Sequence, residues 1–340
     1  MHCLGETRIS LAQLHGMLVD ALCAHGADAD KADLVAKALV AAEADGLPGH
    51  GLSRLASYCA QLASGKIDGQ AAPTASQVAD AAIIVDAKYG FAYPAIDLAI
   101  EKLVAFTPKT GIALAAITHS HHCGAAGYHV EALARHGLVG LMFANTPKAI
   151  APWGGTKGVF GTNPIAFAAP RMQKEPLVID LSLSKVARGK ILVAQQEGQS
   201  IPGDWALDPS GKPTKDPGAA LSGTMLPIGE AKGTALALMV EILAAVLTAS
   251  RFGSEASSFF SADGSPPGVG QLLIAISPDP VSNNHFATRL EDLVEDILSQ
   301  RNTRLPGDRR LRFRKQVAQK GIKLTDKQYK KILSFVHPQQ

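Results

Sequence analysis

The sequence predicts an α/β protein: a largely parallel or mixed sheet covered by helices on its faces, with a helical region before it and a basic helical arm after it. Three observations predict this. From about residue 81 short apolar runs alternate with helical stretches. The first 65 residues repeat their apolar positions at helical spacing. Residues 301–340 hold twelve Lys/Arg against two Asp/Glu, a local +10 that leaves the first 300 residues at −7. The expected division is a helical region 1–80 packing with 284–340, an α/β body 81–283, and C-terminal helices with the basic arm over 284–340.

In chain order, Leu11, Leu14, Leu18 and Leu22 share one face of a first helix. Asp30 is the expected cap of a second helix running to about Asp45, and a third covers about 53–64 and stops at Gly65. Apolar runs at 83–86, 111–117, 138–144, 164–168, 177–180 and 272–276 read as strands. Helices are expected at 92–106, 128–136, 184–196 and 234–248, the last buried on nearly all sides. Residues 198–217 are rich in turn residues and read as a surface excursion. An amphipathic helix over 284–300 would turn Leu290, Leu293, Val294 and Ile297 inward, and the arm ends in a helix capped by Thr325.

At 340 residues and 46% hydrophobic, the chain can bury a substantial core. Its four cysteines, Cys3, Cys23, Cys59 and Cys123, form no C-x-x-C pair. That argues against a disulfide scaffold or structural zinc and for a reducing, cytoplasmic setting. No basic-then-apolar leader opens the sequence. The most apolar stretch, 234–249, contains Glu241 and is too short for a membrane span.

Residues 119–129 concentrate His119, His121, His122 and His129 between an apolar strand and a helix. Imidazole changes charge nearest neutral pH, and the carboxyl ends of strands are where open α/β sheets form their ligand crevice. A proton-transfer role, histidines satisfied by backbone, and a metal site all remain open at this point, although the spacing matches no zinc pattern. His50 stands in a Gly/Pro loop, with Arg54 and Tyr58 one and two turns on; the cation can hold a carboxylate, or this is an ordinary helix start. Gly154-Gly155 and Gly161-Thr162-Asn163-Pro164 suit close backbone approach to a ligand, yet no Rossmann or P-loop fingerprint is present. Lys232 between glycine-rich turns and a helix start is either an anion contact or a solvated lysine. The tail could pass for a helix-turn-helix; the preferred reading is an arm packing on the acidic body of its own or a neighbouring subunit.

Taken together and in order, His50-Gly51 with Arg54, Ser120-His121-His122, Pro152 with Gly154-Gly155, Gly161-Thr162-Asn163-Pro164, Asp180-Leu181-Ser182, Lys232-Gly233 and Leu305-Pro306-Gly307-Asp308-Arg309 resemble the malate/L-lactate dehydrogenase family. The resemblance covers nearly the whole chain. It implies a mixed-sheet, non-Rossmann nicotinamide-binding fold, with 81–283 as the cofactor- and substrate-binding domain. The family also includes ureidoglycolate and sulfolactate dehydrogenases and the Δ1-piperideine-2-carboxylate/Δ1-pyrroline-2-carboxylate reductases. By the resemblance His122 is the catalytic acid/base, with His50 beside it; Arg54, Tyr58 and Thr162 surround a small carboxylate substrate. Thr146, Asn163, Asp180, Leu181, Ser182, Arg188, Lys232, Pro306, Gly307, Asp308 and Arg309 match cofactor-contacting segments. Arg188 and Lys190 favour NADPH, with NADH the alternative. The segments 182–190 and 252–260 stand nearer the cyclic-imine reductase and sulfolactate branches than malate. The expected activity is therefore hydride transfer to a 2-oxo or cyclic 2-imino acid by a homodimer, with no metal, nucleic acid or membrane partner. Two positions depart from the family pattern. Gly49 stands where a Ser is usual, and Cys123 stands where an aromatic is frequent, which would enlarge or soften the pocket wall.

Overall fold

A computed structural model describes residues 6–338 of the chain, so Cys3 lies outside the described residues. A short strand β1 (Glu6–Ile9) leads into α1 (Leu11–Ala24) and α2 (Ala29–Ala44). Two single 3₁₀ turns, Pro48–His50 and Leu52–Arg54, precede α3 (Leu55–Ala63). The α/β body runs β2 (Thr74–Ala79), β3 (Ala82–Asp86), α4 (Ala92–Thr110), β4 (Ile112–Ser120), α5 (Ala126–Arg135), β5 (Val139–Ala144), β6 (Ile165–Arg171) and β7 (Lys174–Leu181). It continues through α6 (Arg188–Gln196), β8 (Ala206–Leu207), α7 (Pro217–Ser222), β9 (Thr224–Met225), α8 (Ala231–Glu241) with a π-helical turn over Ile242–Val246, and β10 (Val269–Ile276). The chain closes with α9 (Pro278–Val281), α10 (Phe286–Leu298), α11 (Asp308–Lys320), β11 (Ile322–Thr325) and α12 (Asp326–Val336).

The main sheet has seven strands in the order β2-β3-β4-β10-β5-β6-β7. Only β3 and β4 pair in parallel; β10 inserts antiparallel between β4 and β5, so the sheet is mixed. Successive residues of a strand face opposite sides. Ala113, Ala115 and Ile117 of β4 therefore join the core under α4 and α5, whereas Leu114 and Ala116 face α8. A separate core joins α1, α2 and α3 to Val317 of α11, Ile322 and Leu324 of β11 and Ile332 of α12, with β11 paired to β1. Gly321, at φ 71°, turns α11 into β11 against the carbonyl of Ile9, where a Cβ would not fit. That strand also separates α11 from α12, so the arm is not a helix-turn-helix.

The arm is fastened to its own body by charge. Arg314 forks onto both oxygens of Asp45 at 2.6 and 2.8 Å and onto both of Glu131 at 2.7 and 3.0 Å. Arg310 lies 3.3 Å from Asp45. Bidentate guanidinium–carboxylate geometry of this kind fixes orientation as well as contact.

Several expected details differ. The cap of α2 is Asp28, whose carboxylate accepts from Asp30 N at 3.1 Å, because the helix begins two residues earlier than Asp30 would allow. The helix expected from residue 184 begins at Arg188, since the Ser184 hydroxyl is spent on the Val186 carbonyl at 2.8 Å. α8 is not buried all round: Ala237, Val240 and Ala244 face the sheet, but Leu236, Leu238, Met239, Ile242, Val246 and Leu247 are exposed. On α10 Val294 points inward while Leu293 is exposed. β2 carries Thr, Ser and Gln on an exposed edge and so has no apolar signature.

Candidate active site

The site is built where β4 ends. His121 and His122 follow Ser120 directly, and Gly124, at φ 69°, turns the chain into α5. Its missing Cβ leaves room for the Tyr93 hydroxyl, which a side chain there would meet at 2.7 Å. From the other side comes the His50 loop. The Glu43 carboxylate accepts from Leu52 N at 2.6 Å and fills the space where Gly51 has no side chain. The Ser53 hydroxyl donates to the Pro48 carbonyl at 2.6 Å, and Arg54 Nε donates to the Gly49 carbonyl at 2.7 Å. The loop is held before any substrate arrives.

These two segments bring the rings of His50 and His122 parallel, 5.6 Å apart and 6° from coplanar orientation. The Tyr58 hydroxyl lies 2.6 Å from His122 Nδ1 and 3.0 Å from the Tyr93 hydroxyl. Phe259 closes over both His121 and His122 at 5.2 and 5.3 Å. Arg54 lies over the ring of Phe260 at 4.6 Å, an arrangement the negative face of the ring favours. Among the described residues its Nη1 has no partner, and neither has His50 Nδ1.

Burial sets the charge of this group. It lowers His50 to about 4 and His121 to about 3, with Arg54 adding to both and Lys66 to His121. His122 is held well below the ordinary imidazole range, first by burial and then by Arg54 and the neighbouring rings. All three are neutral at pH 7, while burial pushes the Tyr58 phenol up to about 12. Arg54 keeps its charge, although burial lowers its proton affinity. The resulting site holds one cation, a stacked imidazole pair and aromatic walls.

A second group begins beyond β10, after the end of β5. Thr162 N donates to Thr146 Oγ1 at 2.9 Å, Leu183 N to the Thr162 carbonyl at 2.8 Å, and Ile228 N to the Leu183 carbonyl at 2.8 Å. This chain of bonds aligns Thr146, Thr162, the Ser182 segment and the turn before Lys232. Asp180 Oδ2 accepts from Gly127 N at 2.7 Å, joining the end of β7 to the start of α5 beside Arg310. Gly307 is left-handed at φ 86° and opens α11; Asp308 accepts from Leu305 N at 3.0 Å, while Pro306 and Arg309 are exposed. Leu181 and Lys232 are exposed as well. Arg188 is turned onto the Leu221 carbonyl at 2.9 Å, and no described contact brings it to the histidines.

Two residues stand elsewhere than expected. Tyr58 is fully buried with its hydroxyl shared between His122 and Tyr93, so it braces the imidazole from behind and does not line the substrate space. Asn163 is also fully buried; its amide nitrogen donates to Glu241 Oε2 at 2.8 Å and to the Ala237 carbonyl at 3.0 Å, while its Oδ1 has no partner among the described residues. Cys123 packs in the core under α4 and α5, and burial pushes its thiol up to about 12. Tyr93, Lys66 and Glu241 carry no motif that sequence reading would single out as site residues. Phe259 and Phe260 lie in a segment noted above only for its likeness to particular branches. Among the described residues no cluster of His, Cys, Asp or Glu is arranged to hold a metal ion. No helix among them is long and apolar enough to cross a membrane.

The profile described as malate/L-lactate dehydrogenase matches residues 9–333. The chain belongs to that family. It is 49% identical over 308 residues to a (2R)-3-sulfolactate dehydrogenase (NADP(+)) of Chromohalobacter salexigens, covering 91% of this chain and 92% of the relative. It is 40% identical over 326 residues to a Δ1-pyrroline-2-carboxylate/Δ1-piperideine-2-carboxylate reductase of Pseudomonas putida, covering 94% of each. Among solved structures, Δ1-piperideine-2-carboxylate reductase from Pseudomonas syringae pvar. tomato superposes with a TM-score of 0.92 at 39% identity, covering 97% of this chain and 99% of the other. As a member of this family the protein is an oxidoreductase, and the mixed sheet is the family fold.

Proposed function

We propose that this oxidoreductase reduces a cyclic 2-imino acid of the Δ1-pyrroline-2-carboxylate and Δ1-piperideine-2-carboxylate class, using NADPH. One observation carries the substrate class: among the described residues, the site around His122 offers a single available cation, Arg54, set beside Phe259 and Phe260. The nearby ammonium of Lys66 is consumed by three backbone carbonyls. One guanidinium beside aromatic walls suits a flat, monoanionic ring better than a substrate carrying a second fixed anion.

The residues present fit a nicotinamide cofactor. α6, α8 and α11 have Ala187, Glu230 and Gly307 at their N-cap positions and no side-chain cap, leaving first-turn N–H groups open to phosphate oxygens. Thr146, Ser182, Lys232, Arg309 and the Asp180 turn would hold it, and Arg188 and Lys190, both exposed, suit the extra phosphate of NADPH. When bound it supplies the hydride. Arg54 anchors the substrate carboxylate and so orients the acceptor carbon, a positioning effect. His122 gives the proton to the imine nitrogen, with His50 as its stacked neighbour. Tyr58 suits both states of the ring. It donates to a neutral Nδ1, which leaves the proton on Nε2, and accepts from a protonated Nδ1–H by turning its own proton to Tyr93.

A second substrate reading, sulfopyruvate and sulfolactate, is favoured by the 49% identity to the sulfolactate dehydrogenase. Oxidation of NADPH and NADH is followed with Δ1-pyrroline-2-carboxylate, Δ1-piperideine-2-carboxylate, pyruvate, oxaloacetate and sulfopyruvate. Turnover of the cyclic imines ahead of the others is the expected result. Turnover of sulfopyruvate alone would replace the substrate assignment. We also propose a homodimer, because the exposed Leu236, Leu238, Met239, Ile242, Val246 and Leu247 form an apolar face that a second copy would cover. The free thiols of Cys23, Cys59 and Cys123 suit a cytoplasmic setting.

A further inference from the structure

Lys66 has a side chain that sequence reading passes over as a surface lysine, yet the residue is only 2% exposed. Its ammonium donates to the carbonyls of Ser258 at 2.8 Å, Ser261 at 2.9 Å and Asp263 at 2.8 Å, which uses all three of its protons. No described salt bridge gives it a carboxylate partner. Burying an ammonium with carbonyls as its hydrogen-bond acceptors is costly, and the Asp263 charge offsets only part of that cost, so the lysine points to what it orders. The same stretch is gripped twice more from α3 and its exit. Gln61 Nε2 donates to the carbonyls of Phe259 at 2.9 Å and Ser261 at 3.1 Å, and the Ser64 hydroxyl donates to that of Ala262 at 3.0 Å. Neither helix nor strand supports residues 258–263; three side chains hold the segment by its backbone.

What the segment carries is the roof of the site. Phe259 packs on His121 and His122, and Phe260, although 63% exposed, lies under the Arg54 guanidinium. α3, which supplies the grip, also supplies Tyr58 to His122. We propose that Lys66 is a positioning residue: by gathering the carbonyls of Ser258, Ser261 and Asp263 it sets Phe260 against Arg54 and so pre-orients the guanidinium for the substrate carboxylate. This rests on the reading of Arg54 as the carboxylate anchor. Arg54 is tied through Nε to Gly49, while its Nη1 has no partner among the described residues. An unbraced guanidinium would have to be ordered at the moment of binding, and the cost would appear in affinity.

The test uses the full chain and pyrrole-2-carboxylate, a flat carboxylated ring that cannot be reduced as an imine, with affinity read by calorimetry. Lys66→Met keeps the stem and removes the ammonium; Phe260→Leu removes the brace directly. Each is expected to weaken pyrrole-2-carboxylate about tenfold, the size of a part-buried cation–π contact. The NADPH affinity should stay within about twofold of the parent. The double variant should be no weaker than the weaker single, because both changes remove one interaction. Full additivity, unchanged affinity in Lys66→Met, or parallel loss of NADPH and pyrrole-2-carboxylate binding would each overturn the proposal. If Lys66→Met does not fold, unchanged affinity in Phe260→Leu overturns it alone. Failure of the parent chain to bind pyrrole-2-carboxylate, or binding that survives Arg54→Met, would overturn the anchor reading and the Lys66 proposal together. Arg54-dependent binding untouched by Lys66→Met and Phe260→Leu refutes the positioning role of Lys66 only.

Discussion

Replacing Tyr58 by Phe removes one oxygen atom and tests how the imidazole is controlled. The ring keeps its volume in a fully buried position, so its packing against Phe91 at 5.3 Å survives. What is lost is the 2.6 Å contact to His122 Nδ1 and the 3.0 Å contact to the Tyr93 hydroxyl. Leaving a buried donor or acceptor without its partner costs about 1–3 kcal/mol. If that cost falls on the state in which His122 transfers its proton, kcat drops about 5- to 150-fold. The substrate anchor is a different side chain, so KM should stay within about twofold of the parent enzyme, and the NADPH affinity likewise. The assay is steady-state NADPH oxidation on the best substrate of the panel, with a thermal melt to confirm folding. A kcat within about twofold of the parent would show that His122 needs no partner at Nδ1 and would refute the reasoning.

His122→Ala should lower kcat by about 10²–10⁴-fold while NADPH still binds; unchanged turnover removes His122 from the acid role. Arg54→Ala should raise the substrate KM far more than it lowers kcat, and an unaltered KM contradicts the carboxylate clamp. Stability should fall in mild acid. His50 and His129 are lowered to about 4 and His121 to about 3, mainly by burial, so below about pH 6.5 the unfolded chain binds more protons than the folded one. Their contribution is complete above that pH and shrinks as pH falls towards 4, and a melting temperature flat from pH 7 to 4.5 would argue against it. Glu241→Leu removes the carboxylate that accepts from Asn145 Nδ2, Asn163 Nδ2 and Gly253 N. Gly253 N would lose its acceptor, and Asn145 and Asn163 would each keep only a carbonyl, of Arg251 and Ala237; three buried N–H groups freed in this way should cost about 3 kcal/mol, read as a lowered urea midpoint.

The frame of the fold was legible because its signals are local. Apolar runs marked β3 to β7 and β10, and the Thr325 cap of α12 forms with Gln328 as its reciprocal partner. What could not be read depends on neighbours distant in sequence. The polar β2 is a strand because β3 lies beside it, and β1 is one because β11 returns to it. The inward and outward faces of α8 were hidden because both are apolar; only Glu241, aimed at Asn145, Asn163 and Gly253, marks the inner one. In the site, His50, Arg54 and His122 announce themselves by residue type and order. Tyr93 and Lys66 do not, since a tyrosine before a proline and a lysine near a glycine turn are ordinary until the fold places their ends.

The electrostatics of the free site pose a question that the proposed reaction answers. A reductive step needs a proton on His122, yet that ring is kept neutral by burial and by Arg54 beside it. Burial alone could not be relieved by a substrate, but the cation can. A carboxylate paired with Arg54 cancels the charge that opposes protonation of His122 and of His50, and an anionic cofactor adds to the same effect. Linkage then works both ways: the anchored substrate raises the proton affinity of the imidazole, and a protonated imidazole strengthens binding of the anion. In the oxidative direction the neutral ring is the base once its proton lies on Nδ1, donated to Tyr58, which frees Nε2 for the substrate. Proton uptake on binding pyrrole-2-carboxylate, measured by calorimetry in buffers of different ionisation enthalpy, is therefore expected for the parent chain and should fall in His122→Gln to what His50 alone takes up. Binding without proton uptake would mean that the acid is charged by some other route, and Arg54 would then be an anchor only.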